Sequence, residues 1–260
     1  MAIAVIKENV YGHAKRLKWI ESHSGKPDQI LELGCGTGIM ITLPLAERGY
    51  AIRGFDMDKP SIEYGKNFCR EEGLDESCLT ASDITAMDIQ GDVIIISEVL
   101  EHLNDGEIKQ ILTKIRERLK AGGRLLITVP NGYGWFEMES FFWNKMRMGV
   151  LIEKLGIVEI VYQIKKLFWG AQVKQSPHPS TLSDSPHVQR FTLSAIQKTL
   201  RRCGFEVYEK TGSVWFAGPF TNLLFHGVTP FLNLNGWLGS LCPSLASGFF
   251  LACRLSGKPA

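Results

Sequence analysis

The segment Ser97-Glu98-Val99-Leu100-Glu101-His102-Leu103 gathers two carboxylates and an imidazole in one short stretch. Glu98 and Glu101 are three residues apart, and Glu98 and His102 four, so on a helical turn all three share one face. Two carboxylates and an imidazole that converge can hold a divalent cation, which would polarise a bound hydroxyl and lower its pKa. His102 alone can instead act as a general base. The plainer alternative is a helix start, where Glu98 and Glu101 suit the positive end of the helix dipole.

A second group of residues lies upstream, in Glu32-Leu33-Gly34-Cys35-Gly36-Thr37-Gly38. Glycines at alternate positions let the backbone take positive φ and approach a ligand closely. Asp56 follows the next apolar run, where a carboxylate can accept hydrogen bonds from both hydroxyls of a ribose. Ser82-Asp83-Ile84 would set another carboxylate near an adenine amino group. By spacing alone a dinucleotide such as NAD is a rival ligand.

These residues need elements to position them. Short apolar runs at Gln29–Leu33, Tyr50–Phe55, Cys78–Ala81, Asp92–Ser97 and Arg124–Val129 read as strands. Helical patterns at Tyr11–Ser22, Ile39–Arg48, Ser61–Glu72 and Glu107–Leu119 separate or precede them, with Gly49, Gly73 and Gly122 as stops. Pro44 inside the second helix implies either a kink or a place in the first turn. The alternation predicts an α/β fold, a doubly wound and mostly parallel sheet covered on both faces. Gly34, Asp56, Asp83 and Glu98 all fall at strand carboxyl ends, where such sheets bind ligands.

The chain of 260 residues is long enough for one such domain, which we expect to span residues 1–260. A net charge of +2 sets up no strong field for nucleic acid. Six cysteines without a close pair argue against structural zinc and fit reduced thiols in the cytoplasm. Neither a signal peptide nor a transmembrane span is expected.

Taken in order, Glu-Leu-Gly-Cys-Gly-Thr-Gly, Gly54-Phe55-Asp56-Met57-Asp58, Ser82-Asp83 and Leu119-Lys120-Ala121-Gly122-Gly123 resemble the class I S-adenosylmethionine (SAM)-dependent methyltransferases. The resemblance covers roughly residues 28–131. It implies a Rossmann-like sheet of seven strands that ends in an antiparallel hairpin, for which Gly204–Tyr208 and Gly248–Leu255 are the candidates. It also implies SAM as cofactor. Gly34, Cys35, Gly36 and Gly38 would flank its methionine part, Asp56 the ribose, and Met57, Asp83 and Ile84 the adenine. Glu32 would order the loop, and Ser97 would close the site from the next strand. The Glu-x-x-Glu-His segment is similar to one in the ubiquinone-pathway O-methyltransferases. It is also similar to one in the small-RNA 2′-O-methyltransferases, where it binds magnesium with a later histidine. That resemblance implies a magnesium site of Glu98, Glu101, His102 and His187, with His178 as a second choice for the last ligand, and Glu98 and His102 as catalytic residues.

The second half departs from the ubiquinone enzymes. Residues 133–190 form an insertion where this family places its substrate lid, and its first part alternates aromatics with Lys145, Arg147, Lys154, Lys165 and Lys166. Such a pattern covers a lipophilic substrate, lies in a membrane interface, or packs as an amphipathic helical pair. From Thr211 to Cys253 there is no Asp, Glu, Lys or Arg. That stretch could line an apolar pocket, dock on a membrane surface or form a subunit interface. The expected enzyme is an O-methyltransferase of a small, partly hydrophobic acceptor (a quinone precursor, phenol, lipid-linked group or sugar hydroxyl), free in the cytoplasm or peripheral at the membrane. Its rivals are an RNA ribose 2′-O-methyltransferase, disfavoured by the near-neutral charge, a NAD-dependent oxidoreductase, and a binding module that has lost activity.

Overall fold

The computed structural model describes residues 8–83, 88–169, 178–183 and 186–257. In chain order the elements are α1 (His13–Ser22), β1 (Gln29–Leu33), α2 (Thr42–Glu47), β2 (Ala51–Asp56), α3 (Lys59–Glu72), β3 (Leu79–Ala81), β4 (Gly91–Ser97), α4 (Asp105–Arg118) and β5 (Leu119–Pro130). The second half adds α5 (Trp135–Ser140), α6 (Met148–Lys154), α7 (Ile157–Trp169), α8 (Leu193–Arg202), β6 (Phe205–Gly212), α9 (Pro219–Phe225), α10 (Thr229–Leu241) and β7 (Gly248–Leu255).

The strands form one seven-stranded sheet in the order β3-β2-β1-β4-β5-β7-β6. All pairs from β3 to β5 are parallel, and β7 runs antiparallel between β5 and β6. The expected sheet and its final hairpin are therefore present. Two apolar faces explain why the strands read as unbroken hydrophobic runs. Ile94 and Ile96 of β4 point into one core with Leu31, Leu33, Ile127 and Phe249, covered by α4 and α8. Val93 and Ile95 point into the other with Ile30, Leu126 and Phe250, covered by α1.

Element ends differ from the sequence expectation where side chains intervene. α2 starts at Thr42 rather than Ile39 because the chain is still turning out of the glycine loop. That places Pro44 in the first turn, where its missing N–H costs no helical bond, and settles the choice left open by the sequence. α4 starts at Asp105 rather than Glu107. Asn104 caps it, accepting from the Gly106 and Glu107 backbone, while the Glu107 side chain returns to the Asn104 N–H. β5 begins at Leu119, with Gly91 paired to Leu119 and Val93 to Arg124, so Lys120–Gly123 bulge out of the ladder. Gly123 permits this, since a Cβ there would press on the Asp92 and Lys120 carbonyls.

Lys15 joins α1 to the far end of the chain. Its ammonium donates to the carbonyls of Gly212, Ser213 and Gly236 and to Ser240 Oγ. Burial lowers its pKa to about 8. No helix among the described residues is long and apolar enough to cross a membrane. All six cysteines are free thiols.

Candidate active site

The carboxyl ends of β1, β2 and β4 open on a cleft of about 630 Å³, within the usual range for a small-molecule site. Glu32, Gly34, Cys35, Gly36, Asp56, Met57, Asp83, Ser97, Glu98 and His102 all line it, so the structure gathers most of the residues singled out in the sequence. Gly38 is absent from the lining. Its φ of +76° and the Leu79 side chain, 2.5 Å from where a Cβ would stand, make it a turn and packing glycine. Ile84 lies outside the described residues.

The glycine loop is fixed from three sides. Asp56 accepts from the Gly36 N–H (2.7 Å) through Oδ2 and from the Asp58 N–H (2.8 Å) through Oδ1. Glu32 accepts from Thr42 Oγ1 at 2.5 Å. Burial pushes the Glu32 carboxyl up to about 8, partly offset by that bond and by Arg16. Gly34 has φ +76°, and a side chain there would collide with Val99. Cys35 is buried and its thiol pushed well up, which keeps it a packing residue rather than a nucleophile.

At the end of β4 the backbone turns left-handed at Glu98 (φ +55°), a conformation that non-glycine residues adopt at a cost. This turn sends the carboxylates apart. Glu98 accepts from Thr128 Oγ1 (2.9 Å) and faces Arg16 at 3.5 Å. Since the Thr128 hydrogen goes to Glu98, the Ser97 hydroxyl must donate to Thr128 (2.8 Å), giving a relay from Ser97 through Thr128 to Glu98. Glu101 is 1% exposed. Its Oε2 is buried without a hydrogen-bond partner, and burial, with Glu98 nearby, raises its pKa well above the carboxylate range.

Glu101, His102 and His187 form a cluster whose ligand atoms all lie within 4.8 Å of one another. Glu98 is not part of it. The expected four-residue set is corrected to three, because the left-handed turn at Glu98 replaces the continuous helical face on which the set was based. His178 also lies elsewhere, bonded through Nδ1 to Tyr64 (3.0 Å) and set edge-on to Phe68. His102 Nδ1 faces the Pro186 carbonyl at 3.2 Å, an acceptor only, so Nδ1 carries the hydrogen and Nε2 keeps its lone pair. The Glu101 carbonyl accepts from the Val188 and Gln189 N–H groups, which holds His187 beside His102 with ring centroids 5.1 Å apart.

The comparisons bear on what this cleft serves. Residues 14–210 match the family described as "Methyltransferase domain". The chain belongs to the class I SAM-dependent methyltransferase family. Among relatives, the ubiquinone biosynthesis O-methyltransferase of Aeromonas salmonicida is 33% identical over 121 residues, covering 45% of this chain and 50% of that one. The ribosomal protein L11 methyltransferase of Shewanella sp. (strain ANA-3) is 25% identical over 135 residues, covering 48% and 44%. The chain thus spans about half the length of the curated relatives it matches. A solved SAM-dependent methyltransferase from Methanosarcina mazei has the same fold, with a TM-score of 0.56, 16% identity and coverage of 92% and 98%. The family match sets aside the NAD-dependent oxidoreductase.

The chain's own residues fit SAM. The cleft offers a carboxylate at the end of β2, an exposed Met57 (66%) at its rim and a cation, Arg16, at its inner end. Sequence reading missed three contributors. Arg16 and His13 enter from α1, one turn apart on the face turned to the cleft. Asn9 Oδ1 accepts from the Tyr11 and His13 N–H groups, so its amide donates to His13 Nδ1 and leaves the ring hydrogen on Nε2. Burial holds this imidazole down at about 3, so it is neutral throughout the working range. The third contributor is a strap, residues 178–183, laid over the glycine loop. Ser180 O accepts from the Thr37 N–H (2.9 Å), Pro179 O from Thr37 Oγ1 (2.8 Å), and Ser61 Oγ from the Leu182 N–H (2.8 Å). Only the helical spacing of His13 and Arg16 was visible in the sequence. Nothing there signalled the strap's docking.

Proposed function

We propose that this methyltransferase transfers the SAM methyl group to a hydroxyl of a small, partly hydrophobic acceptor such as a quinone precursor, phenol, lipid-linked group or sugar. The observation that carries the reading is His102 in the cleft lining, its Nδ1 hydrogen directed at the Pro186 carbonyl, which leaves Nε2, 3.8 Å from Glu101 Oε1, as the basic nitrogen of the ring. In this reading the acceptor oxygen forms a bond to the methyl carbon as the carbon–sulfur bond breaks. The electron pair stays on sulfur, giving S-adenosylhomocysteine, and the hydroxyl proton passes to His102 Nε2. SAM supplies the methyl group on a sulfonium. Gly34, Gly36 and Cys35 would support its methionine part, Asp56 its ribose, and Met57 and Asp83 its adenine. Ser97 and Thr128 hold Glu98 toward the reacting centre, and Arg16 balances the carboxylates around it. Alignment and exclusion of water then do most of the catalysis.

Residues 133–190 are the acceptor's cover in this proposal, and the enzyme works in the cytoplasm, peripheral to the membrane that holds a lipophilic acceptor. Glu101, His102 and His187 suit a divalent cation such as magnesium, and the unpartnered Glu101 Oε2 supports that use. A cation there would replace His102 as the agent that lowers the hydroxyl pKa.

The test is release of S-adenosylhomocysteine with phenols, amines and a ribosomal-protein acceptor in parallel. Methylation of a phenolic hydroxyl, with kcat about a hundredfold lower in His102→Ala, is expected. Turnover confined to the amine or protein acceptor would overturn the oxygen assignment. EDTA followed by magnesium or manganese separates the two roles of His102: turnover untouched by the chelator leaves it as base alone.

A further inference from the structure

Helix α7 is built inside out. Its inward line is Ile157, Val161 and Lys165, and the Lys165 ammonium caps α9 through the Leu223 and His226 carbonyls. Val158, Ile160, Tyr162, Ile164, Leu167 and Phe168 are exposed, Leu167 at 80% and Phe168 at 70%. A helix on a soluble protein turns its apolar face to the core, whereas this one sends a lysine in and its large apolar side chains out. Helix α10 repeats the pattern with Leu234, Trp237 and Leu241 exposed along one stripe, inside the stretch that has no formal charge. Both belong to the cover: α7 packs on α6 and α9, and α10 packs on β6 and is tied to α1 through Lys15.

Charge is distributed to match. From Ile160 to Phe205 the chain has seven Lys or Arg and one acid, Asp184, against a net charge of +2 for the whole. Lys145, Arg147, Lys154 and Lys166 are exposed on and beside the apolar helices. Glu153 of α6 and Glu159 of α7 are the exposed acids of these helices, two against the four exposed cations, while on neighbouring α5 Glu139 is buried and Glu137 faces Arg190 at 3.7 Å. Exposed apolar side chains among long cationic ones are what an anionic bilayer surface takes up. A second copy of the chain would need a narrow seam. The exposed residues of α7 instead spread around most of its outward side, which a lipid interface solvates as a whole. Tyr162 and Trp237 bring rings suited to the headgroup level.

We propose that α6, α7 and α10 form a docking surface for an anionic lipid bilayer. It rests on the proposed function only for its purpose, delivery of a lipophilic acceptor, since binding itself needs no turnover. The cover begins directly after β5, at the carboxyl end of the parallel strands, so a docked enzyme presents its cleft end to the membrane.

The experiment is flotation of the full chain with vesicles of phosphatidylcholine alone and of phosphatidylcholine mixed with phosphatidylglycerol, without substrate. Binding to the anionic vesicles that weakens with salt is expected. Lys145→Gln, Lys154→Gln and Lys166→Gln together should lower it about a hundredfold, at about 1 kcal/mol per charge and tenfold per 1.4 kcal/mol. Leu167→Ser with Phe168→Ser, and Trp237→Ser alone, should each weaken binding to both vesicle types about tenfold or more. Calorimetric SAM affinity must stay unchanged in all of them, which reports an intact fold. The proposal is overturned if the wild-type chain floats with neither vesicle. It is equally overturned if light scattering shows a dimer that Trp237→Ser dissociates while vesicle binding is unaltered. Vesicle binding by a chain that methylates no lipophilic acceptor would keep the docking surface and remove the function assigned to it.

Discussion

In the sheet, Ile94, Ile95 and Ile96 are wholly buried, whereas in α7 Ile160 and Ile164 stand about half exposed. The same residue type serves two ends in one chain. In β4 both faces are covered, so every isoleucine contributes to a core, at about 25 cal/mol for each Å² of apolar surface removed from water. In α7 the contact with the protein is one line of residues, and the apolar surface is left for something outside the chain. The glycine-loop half is therefore held by burial. The cover is held by ring contacts, Trp135 on Phe216 (4.8 Å) and Trp143 on Phe220 (5.0 Å), and by polar tethers: Lys165 on the end of α9, and Glu139, which accepts from Trp135 Nε1 (2.5 Å) and from the Thr221 N–H and hydroxyl.

This contrast can be broken at either end. The largest expected effect is on cofactor binding. Gly36→Val places a side chain at φ +56° and against the Ser180 carbonyl, and should weaken SAM at least a hundredfold by calorimetry. Gly49→Val, at φ +81° with open space around it, should cost only backbone strain and leave SAM affinity unchanged. Next, Glu139→Ala leaves Trp135 and Thr221 without their acceptor, and should lower stability by about 2–4 kcal/mol in urea titrations. If the cover is tethered as described, SAM affinity in that variant changes little.

Glu32 gives a pH signature to the sheet half alone. Its pKa is about 8 in the fold and near the ordinary carboxyl value of about 4.3 when unfolded. Between those values the folded chain binds more protons, so stability falls as pH rises, by at most about 1.4 kcal/mol per pH unit from this group. Above about pH 6.5, where the opposing proton uptake of unfolded His13 has ended, thermal midpoints of the cofactor-free protein should fall toward pH 8, and Glu32→Gln should make that fall shallower. An unchanged slope in that variant would mean that other groups carry the dependence. The smallest effect belongs to the strap. Thr37→Val removes the hydroxyl's bonds to the Pro179 and Ser180 carbonyls while keeping the backbone bond to Ser180, and should raise the SAM dissociation rate severalfold in stopped flow.

The two halves also differed in how much of them could be read beforehand. Strands covered on both faces announce themselves, and glycines with positive φ leave a fixed mark, so β1, β2, β4 and the loop after Leu33 were all legible. The Glu98–His102 segment was misread in geometry because helical spacing assumes a helix, and the left-handed turn at Glu98 comes from packing of Val99 against Gly34 that no spacing encodes. His13 and Arg16 sat in a recognised helix, but which of its faces would meet the cleft depends on where α1 lands on the sheet. The strap is harder still, since it is held by backbone carbonyls, which every residue has. In the cover, the aromatic and charge-free runs were plain to see, and their meaning rests on what they leave exposed.

The place of β7 has a consequence for how the chain is made. β5 is a central strand, yet the neighbour on its outer edge is separated from it by the entire cover. While that stretch is still emerging from the ribosome, β5 is an edge strand with open N–H and C=O groups, next to helices that carry bare apolar surface. Open edges of that kind pair with other chains, and closing so long a loop is slow. A nascent chain that stalls before Gly248 would be a sticky intermediate, and shielding it until β7 arrives is work for a chaperone or for the membrane itself.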